Sequence, residues 1–188
     1  MELPNKKYQI IYADPPWRFN YRHSENDLSG HNEGNYSLMK LQDIKDIPIQ
    51  NISDDDCSLF LWVTDPLLQE GIEVMRCWGF KYKTVAFTWI KTNLNNKRYW
   101  LGMGYWTRSN PEMCLLGTKG KIKRISSNVH QLVISNRREH SRKPDEVRDR
   151  IVQLIGDVSR IELFARDRFE GWDTYGDELP NTIQNLIT

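Results

Sequence analysis

Cysteine is scarce in the 188-residue chain, which has only Cys57, Cys77 and Cys114. An odd number with no Cys-x-x-Cys spacing speaks against a disulfide framework and against a zinc site, and it favours a reducing compartment. Long apolar runs are missing too. The strongest, "LFLWV" at 59–63, falls far short of the ~18 residues a membrane-crossing helix needs. The start, "MELPNKKYQ", carries no apolar signal segment. These absences predict an intracellular, cytoplasmic protein with no membrane partner and no metal. Repeats and low-complexity tracts are also lacking. The length suits a single domain spanning 1–188 rather than two enzyme domains.

Charge of one sign is lacking overall, with a net charge of +1, but not locally. Between Lys119 and Lys143 stand eight basic residues (Lys119, Lys121, Lys123, Arg124, Arg137, Arg138, Arg142, Lys143) and one acid, Glu139. Such asymmetry reads either as an anion-binding face or as a solvated loop. Tryptophan, by contrast, is plentiful at seven. Trp62, Trp78 and Trp89 fall on strands or a helix face and are expected in the core.

Short apolar runs alternate with helical patterns. Strands are predicted at 10–13, 59–63, 83–90, 112–117, 130–135 and 160–165. One helix is expected from Leu68 through Ile72, Met75 and Trp78 to a stop at Gly79, with Thr64 as cap and Pro66 at its first turn. A second opens at Pro144, with Asp145 and Glu146 in its first turn and Val147, Ile151, Leu154 and Ile155 on its apolar face. Continuous rather than alternating strand runs indicate an α/β sheet covered on both faces, with ligands beyond the strands' carboxyl ends. Asp14, Thr64, Lys91 and Arg166 mark four such ends. Polar segments near 18–37 and 92–111 are long enough to be read as mobile binding loops.

The first strand ends in "ADPPW". A residue before proline is held extended, and proline fixes its own φ and donates nothing. Asp14, Pro15 and Pro16 therefore form a stiff edge of acceptors, with Trp17 supplying a π face. A planar ring with an exocyclic amino group suits that edge, and adenine fits. Hydrogen bonds from its amino hydrogens to the Asp14 carboxylate and the Pro15 carbonyl would draw the nitrogen towards tetrahedral geometry. Its lone pair would then face an in-line methyl sulfonium. Catalysis of this kind is orientation plus stabilisation of developing charge.

The tetrad does not stand alone. "FLWVT" at 60–64, "WIKTN" at 89–93, "CLLGTKG" at 114–120, "RKPDE" at 142–146 and "IELFAR" at 161–166 follow it in order. Together they resemble the MT-A70 family of amino-group methyltransferases, over about Tyr8 to Leu179. That family holds the catalytic subunit of the mRNA adenosine methyltransferase and many bacterial and phage DNA adenine methyltransferases. The resemblance implies S-adenosylmethionine as cofactor and a Rossmann-like α/β fold of permuted order, with the catalytic motif first and the cofactor strand last. It implies catalytic roles for Asp14, Pro15, Pro16 and Trp17, and cofactor contacts for Asp14, Lys143, Glu162, Arg166, Asp177 and Glu178. Glu162 and Arg166 would hold the ribose, unless they form a simple ion pair. Tyr36, Trp106, Arg108, Asn110, Glu112 and Lys143 would meet the substrate.

The chain departs from the pattern in places. No Gly-x-Gly follows "IELF", and thirteen residues precede Asp14, which leaves contacts to the cofactor's adenine unassigned. Sequence preference would come from the two loops, the basic stretch or a partner subunit, a second copy included. The expected substrate is adenine in DNA, reached by base flipping or in single strands. The alternatives are an RNA adenosine methyltransferase and a catalytically silent nucleic-acid-binding member.

Overall fold

A computed structural model describes residues 3–18, 38–94, 98–104, 106–138 and 142–176. Its strands are β1 (Tyr8–Ala13), β2 (Ser53–Val63), β3 (Lys81–Thr92), β4 (Glu112–Lys119), β5 (Leu132–Asn136), β6 (Arg160–Leu163) and β7 (Asp173–Tyr175). The helices are α1 (Leu41–Lys45), α2 (Leu68–Cys77) and α3 (Glu146–Ile155). All seven strands join one sheet in the order β5-β3-β4-β2-β1-β6-β7. β1 pairs in parallel with β2 and β6, β6 with β7, and β3 with β5, while β4 runs antiparallel to both β2 and β3. β4 is thus the one reversed strand of the sheet, and its first residues lie on the edge where the other six strands end.

The unbroken apolar runs are explained by burial on two faces. On one, Ile11, Ala13, Leu59, Leu61 and Val63 pack with Ile44 of α1 and with Val74, Met75 and Trp78 at α2. On the other, Ile10, Tyr12, Phe60, Trp62, Phe87 and Trp89 pack with Val147, Ile151 and Ile155 of α3. Trp62, Trp78 and Trp89 are all fully buried, as the sequence predicts. Tyr12 and Trp62 remain satisfied in that apolar setting because the Trp62 indole N–H donates to the Tyr12 hydroxyl at 2.6 Å. No helix among the described residues is long and apolar enough to cross a membrane.

Several expectations need correcting. β2 starts at Ser53, well before the apolar run. Asp56 there accepts the backbone N–H of Lys121 at 2.6 Å, so a polar extension of the strand is held by the turn after β4. The Thr64 side chain makes no capping hydrogen bond. The chain enters α2 through a 3₁₀ turn at Asp65–Leu67 with proline at its start. α3 begins at Glu146, so Asp145 stands just before its first turn rather than in it, and its carboxylate accepts from arginines. The basic stretch is not one face. Lys119, at the end of β4, donates to Ser53 Oγ at 3.0 Å on the far edge of the sheet. Arg137, after β5, lies over the Trp100 ring on the edge where the parallel strands end. The reversed β4 delivers the start of the stretch to the far edge, and β5 carries the chain back, leaving Arg137, Arg138, Arg142 and Lys143 on the edge that carries Asp14. The helix stops do hold: Gly79 and Gly156 have φ of 84° and 117°, values costly for any residue with a Cβ.

α2 reaches the sheet closely at one point. A Cβ on Gly71 would lie 2.4 Å from Val63 Cγ1. Gly71→Ala should therefore lower stability by about 1–3 kcal/mol through overpacking, despite a helix-propensity gain of up to ~1 kcal/mol. Urea unfolding of the double variant with Val63→Ala should show less loss than the sum of the two single changes.

Candidate active site

The order of the sheet turns back at β1 and β6, with the chain continuing to β2 on one side and β7 on the other. A crevice at the carboxyl ends of strands forms at such a switch point. Asp14 follows β1 at that place, and the tetrad after it is firmly tied. The Trp17 N–H donates to the Pro15 carbonyl at 2.8 Å, and the Met39 N–H donates to the Pro16 carbonyl at 2.9 Å. The indole N–H of Trp17 donates to the Trp62 carbonyl at 2.9 Å. Trp17 is only 8% exposed and packs in the core with Leu61 and Val63. The structure thus makes it an anchor of the acceptor edge. The Pro15 carbonyl keeps capacity for a second donor, since a carbonyl oxygen has two lone pairs.

Three charged side chains continue from Asp14. Lys143 Nζ donates to Asp14 Oδ2 at 2.7 Å and lies 3.2 Å from Glu112 Oε2. Lys91 Nζ donates to Glu112 Oε1 at 2.6 Å. The ammonium of Lys143 lies 5.5 Å from the Trp62 ring centroid, and that of Lys91 lies 5.3 Å from Trp89 and 5.4 Å from Trp100. Two carboxylates and two ammoniums thus alternate along the sheet edge. Burial works against the Lys143 ammonium, yet Asp14 and Glu112 outweigh it and hold the proton more tightly than usual. Burial likewise opposes ionisation of Glu112, but Lys143 and Lys91 win and place its carboxyl below the ordinary 4.5. Asp14 goes the other way. Burial raises its carboxyl above the ordinary 3.8, Lys143 only partly offsets this, and Glu112 adds to the rise.

On the β6 side, Glu162 is committed. Arg148 Nε donates to its Oε2 at 2.7 Å and Nη2 to its Oε1 at 2.6 Å, a buried bidentate pair. The guanidinium lies 3.4 Å from the Phe169 ring centroid and 5.5 Å from that of Tyr12. Burial raises the Glu162 carboxyl, and Arg148 only partly restores it. Glu162 is therefore half of a buried ion pair, with Arg148 as its partner. Arg166 is near enough for its charge to favour the Asp14 carboxylate. Between them Phe164 has φ of 60°, a sharp turn without glycine where a Gly-x-Gly was not found. Behind it, a Cβ on Gly176 would fall 2.2 Å from the Ala165 carbonyl oxygen.

The other expected residues divide. Glu112 and Lys143 meet at Asp14. Asn110 and Arg108 are engaged within their own loop: Asn110 clasps the Lys91 backbone at both N–H and C=O, each at 2.9 Å, and Arg108 donates to the Gly102 and Leu101 carbonyls. Trp106 is 92% exposed. Tyr36, Asp177 and Glu178 lie outside the described residues. Arg148 was missed, although a signal existed. It stands three residues before Ile151 and seven before Ile155, a charge on the apolar stripe of α3. In the sequence Lys91 shows only as a strand end.

A two-faced α/β sheet whose switch-point crevice carries a rigid acceptor edge, braced by buried ion pairs, defines a ligand-binding enzyme fold. The chain belongs to the MT-A70 family, whose model matches residues 8–178. It is 39% identical over 203 aligned residues to the type II methyltransferase M.MunI of a Mycoplasma species, covering 100% of this chain and 84% of that protein. It is 30% identical to an MT-A70-like N(6)-adenosine-methyltransferase of Arabidopsis thaliana and to the human N(6)-adenosine-methyltransferase catalytic subunit METTL3. In both cases 92% of this chain aligns, with only 24% and 28% of those longer proteins.

Two outcomes follow from these pairs. The depressed Glu112 carboxyl contributes stability at pH above its ordinary value, and this is lost as pH falls through the depressed folded value. The stability gap between wild type and Glu112→Gln should therefore be widest near neutrality and shrink progressively as pH falls below the ordinary 4.5 in urea unfolding. Arg148→Met, which leaves Glu162 buried without its partner, should cost about 3–5 kcal/mol, and adding Glu162→Gln should restore part of it.

Proposed function

We propose that the protein transfers a methyl group from S-adenosylmethionine to the 6-amino group of adenine in DNA. The observation that carries this reading is Asp14 itself: a carboxylate at the switch point, on a proline-stiffened edge, held by Lys143 at 2.7 Å. The stronger and nearly end-to-end match to a type II methyltransferase favours DNA over RNA as acceptor.

Asp14 and the Pro15 carbonyl accept the two amino hydrogens and fix the plane of the ring. Lys143 holds one carboxylate oxygen and so orients the other towards the crevice. The nitrogen lone pair, freed from conjugation, is turned towards the crevice, and an amino group that gained a methyl there, as the methyl's bond to sulfur broke, would carry one proton too many. Asp14, whose burial raises its affinity for protons, is the adjacent acceptor. When bound, the cofactor supplies an electrophilic methyl group on a sulfonium. The residues present fit such a cofactor: Arg166 and Lys143 offer cations for a carboxylate beside Asp14. In this reading Glu162 supports the site from behind through Arg148. The fold in this reading is Rossmann-like and permuted, which is supported by the tetrad following the first strand and by the late strand β6 pairing with that first strand.

Incubation with labelled S-adenosylmethionine and matched DNA and RNA, followed by mass spectrometry of the nucleosides, tests the proposal. The expected product is N6-methyladenine in DNA, with Asp14→Ala slower by at least about 100-fold. Methylation that survives Asp14→Ala would refute the mechanism, and methylation of RNA alone would refute the acceptor.

A further inference from the structure

Between β3 and β4, on the edge that carries Asp14, the described residues 98–104 and 106–110 form a self-braced finger. At its root the Asn110 side chain clasps Lys91, and Lys91 holds Glu112. Higher up, the Gly102 N–H donates to the Ser109 carbonyl at 2.7 Å, while Arg108 donates to the Gly102 carbonyl at 2.8 Å and the Leu101 carbonyl at 3.1 Å. The two glycines are required by this closure. A Cβ on Gly104 would lie 1.8 Å from the Thr107 carbonyl oxygen, and one on Gly102 would meet Trp100 at 2.7 Å. Yet the side chains presented around this frame are large and apolar: Met103 is 93% exposed and Trp106 92%.

Apolar surface in water is unfavourable, and a chain free to collapse would turn such residues inward. Here internal hydrogen bonds hold them out. The described part of the finger, 98–104 and 106–110, carries Arg98 and Arg108 and no acid. Arg137 adds its guanidinium 5.1 Å from the Trp100 ring centroid at the root. A basic frame with an apolar tip fits one class of partner well: a phosphate-lined duplex whose base stack has been opened. Taking an adenine out of a duplex leaves a gap, and apolar wedges inserted between base steps are a recurrent way to fill one.

We infer that the finger is a wedge, with Met103 and Trp106 entering the duplex base stack where the target adenine leaves it. This rests on the reading of adenine in nucleic acid as substrate and adds how the base is reached. The wedge makes duplex a substrate; a single strand, with nothing to open, does not need it.

The test uses a randomised single-stranded DNA pool and the same pool made duplex by primer extension, with labelled S-adenosylmethionine as donor. The variants are Met103→Ser, Trp106→Ser and the pair. Paired substitution should lower kcat/KM on duplex by about ten-fold or more, the range expected for lost base stacking. On single strands the rate of Met103→Ser should stay within about two-fold, and Met103→Leu with Trp106→Phe should retain duplex activity. Thermal unfolding should be unchanged. Equal losses on both substrates, or none on duplex, would overturn the wedge. So would a wild-type dimer in sedimentation that the paired substitution dissociates, since the tip would then be an interface with a second copy. Wild-type protein that methylates neither pool would instead overturn the acceptor reading beneath it.

Discussion

Everything at this sheet edge depends on one buried ammonium. Lys143 sits between the carboxylates of Asp14 and Glu112, at 2.7 and 3.2 Å. Desolvating any one of these charges alone would cost several kcal/mol, so none is tolerable without the others. The fold is arranged to bring them together from distant points: the end of β1, the start of the reversed β4, and the approach to α3. A strand running the other way at β4's place would put Glu112 on the far edge. The antiparallel strand is therefore a requirement of the charge arrangement.

The two carboxylates are not equivalent, and their difference has a chemical use. Glu112 faces two ammoniums and is stabilised as an anion. Asp14 faces Lys143 in a desolvated setting and binds protons more readily than an ordinary aspartate. Groups whose environments push their proton affinities apart are a mark of sites that divide acid and base tasks. Glu112 keeps Lys143 charged and in place, and Asp14 is left to deal with the acceptor. Asp145 plays a comparable part outside the crevice, gathering Arg138, Arg142 and Arg148 around one carboxylate at the start of α3.

Much of this was legible in the sequence, and the illegible parts have physical reasons. The buried strands and both longer helices announced themselves because burial on two faces demands continuous apolar runs, and helix stops need glycine. Asp14-Pro15-Pro16-Trp17 could be read because proline stiffness is local. β7 and α1 are too short, at 3 and 5 residues, to show a period. The direction of β4 is set by its neighbours, and no feature of "EMCLLG" encodes it. For the same reason the basic stretch looked like one surface and is two. Arg148 shows the limit of reading by family motif: its meaning comes from Glu162, fourteen residues on, which the motif had assigned to a ligand. Trp17 shows a milder form, since a π face beside a proline edge suggested stacking, while the fold uses the ring as an anchor.

If the ion chain acts as one unit, removing its second link should matter little once the first is gone. The direct measurement is kcat for methyl transfer by Lys143→Met, Glu112→Gln and the double variant, all under saturating cofactor. The account predicts that the double variant is no worse than about three-fold below the slower single one, because both changes release the same carboxylate. Losses that multiply would contradict it, and would mean that Lys143 and Glu112 serve the reaction separately.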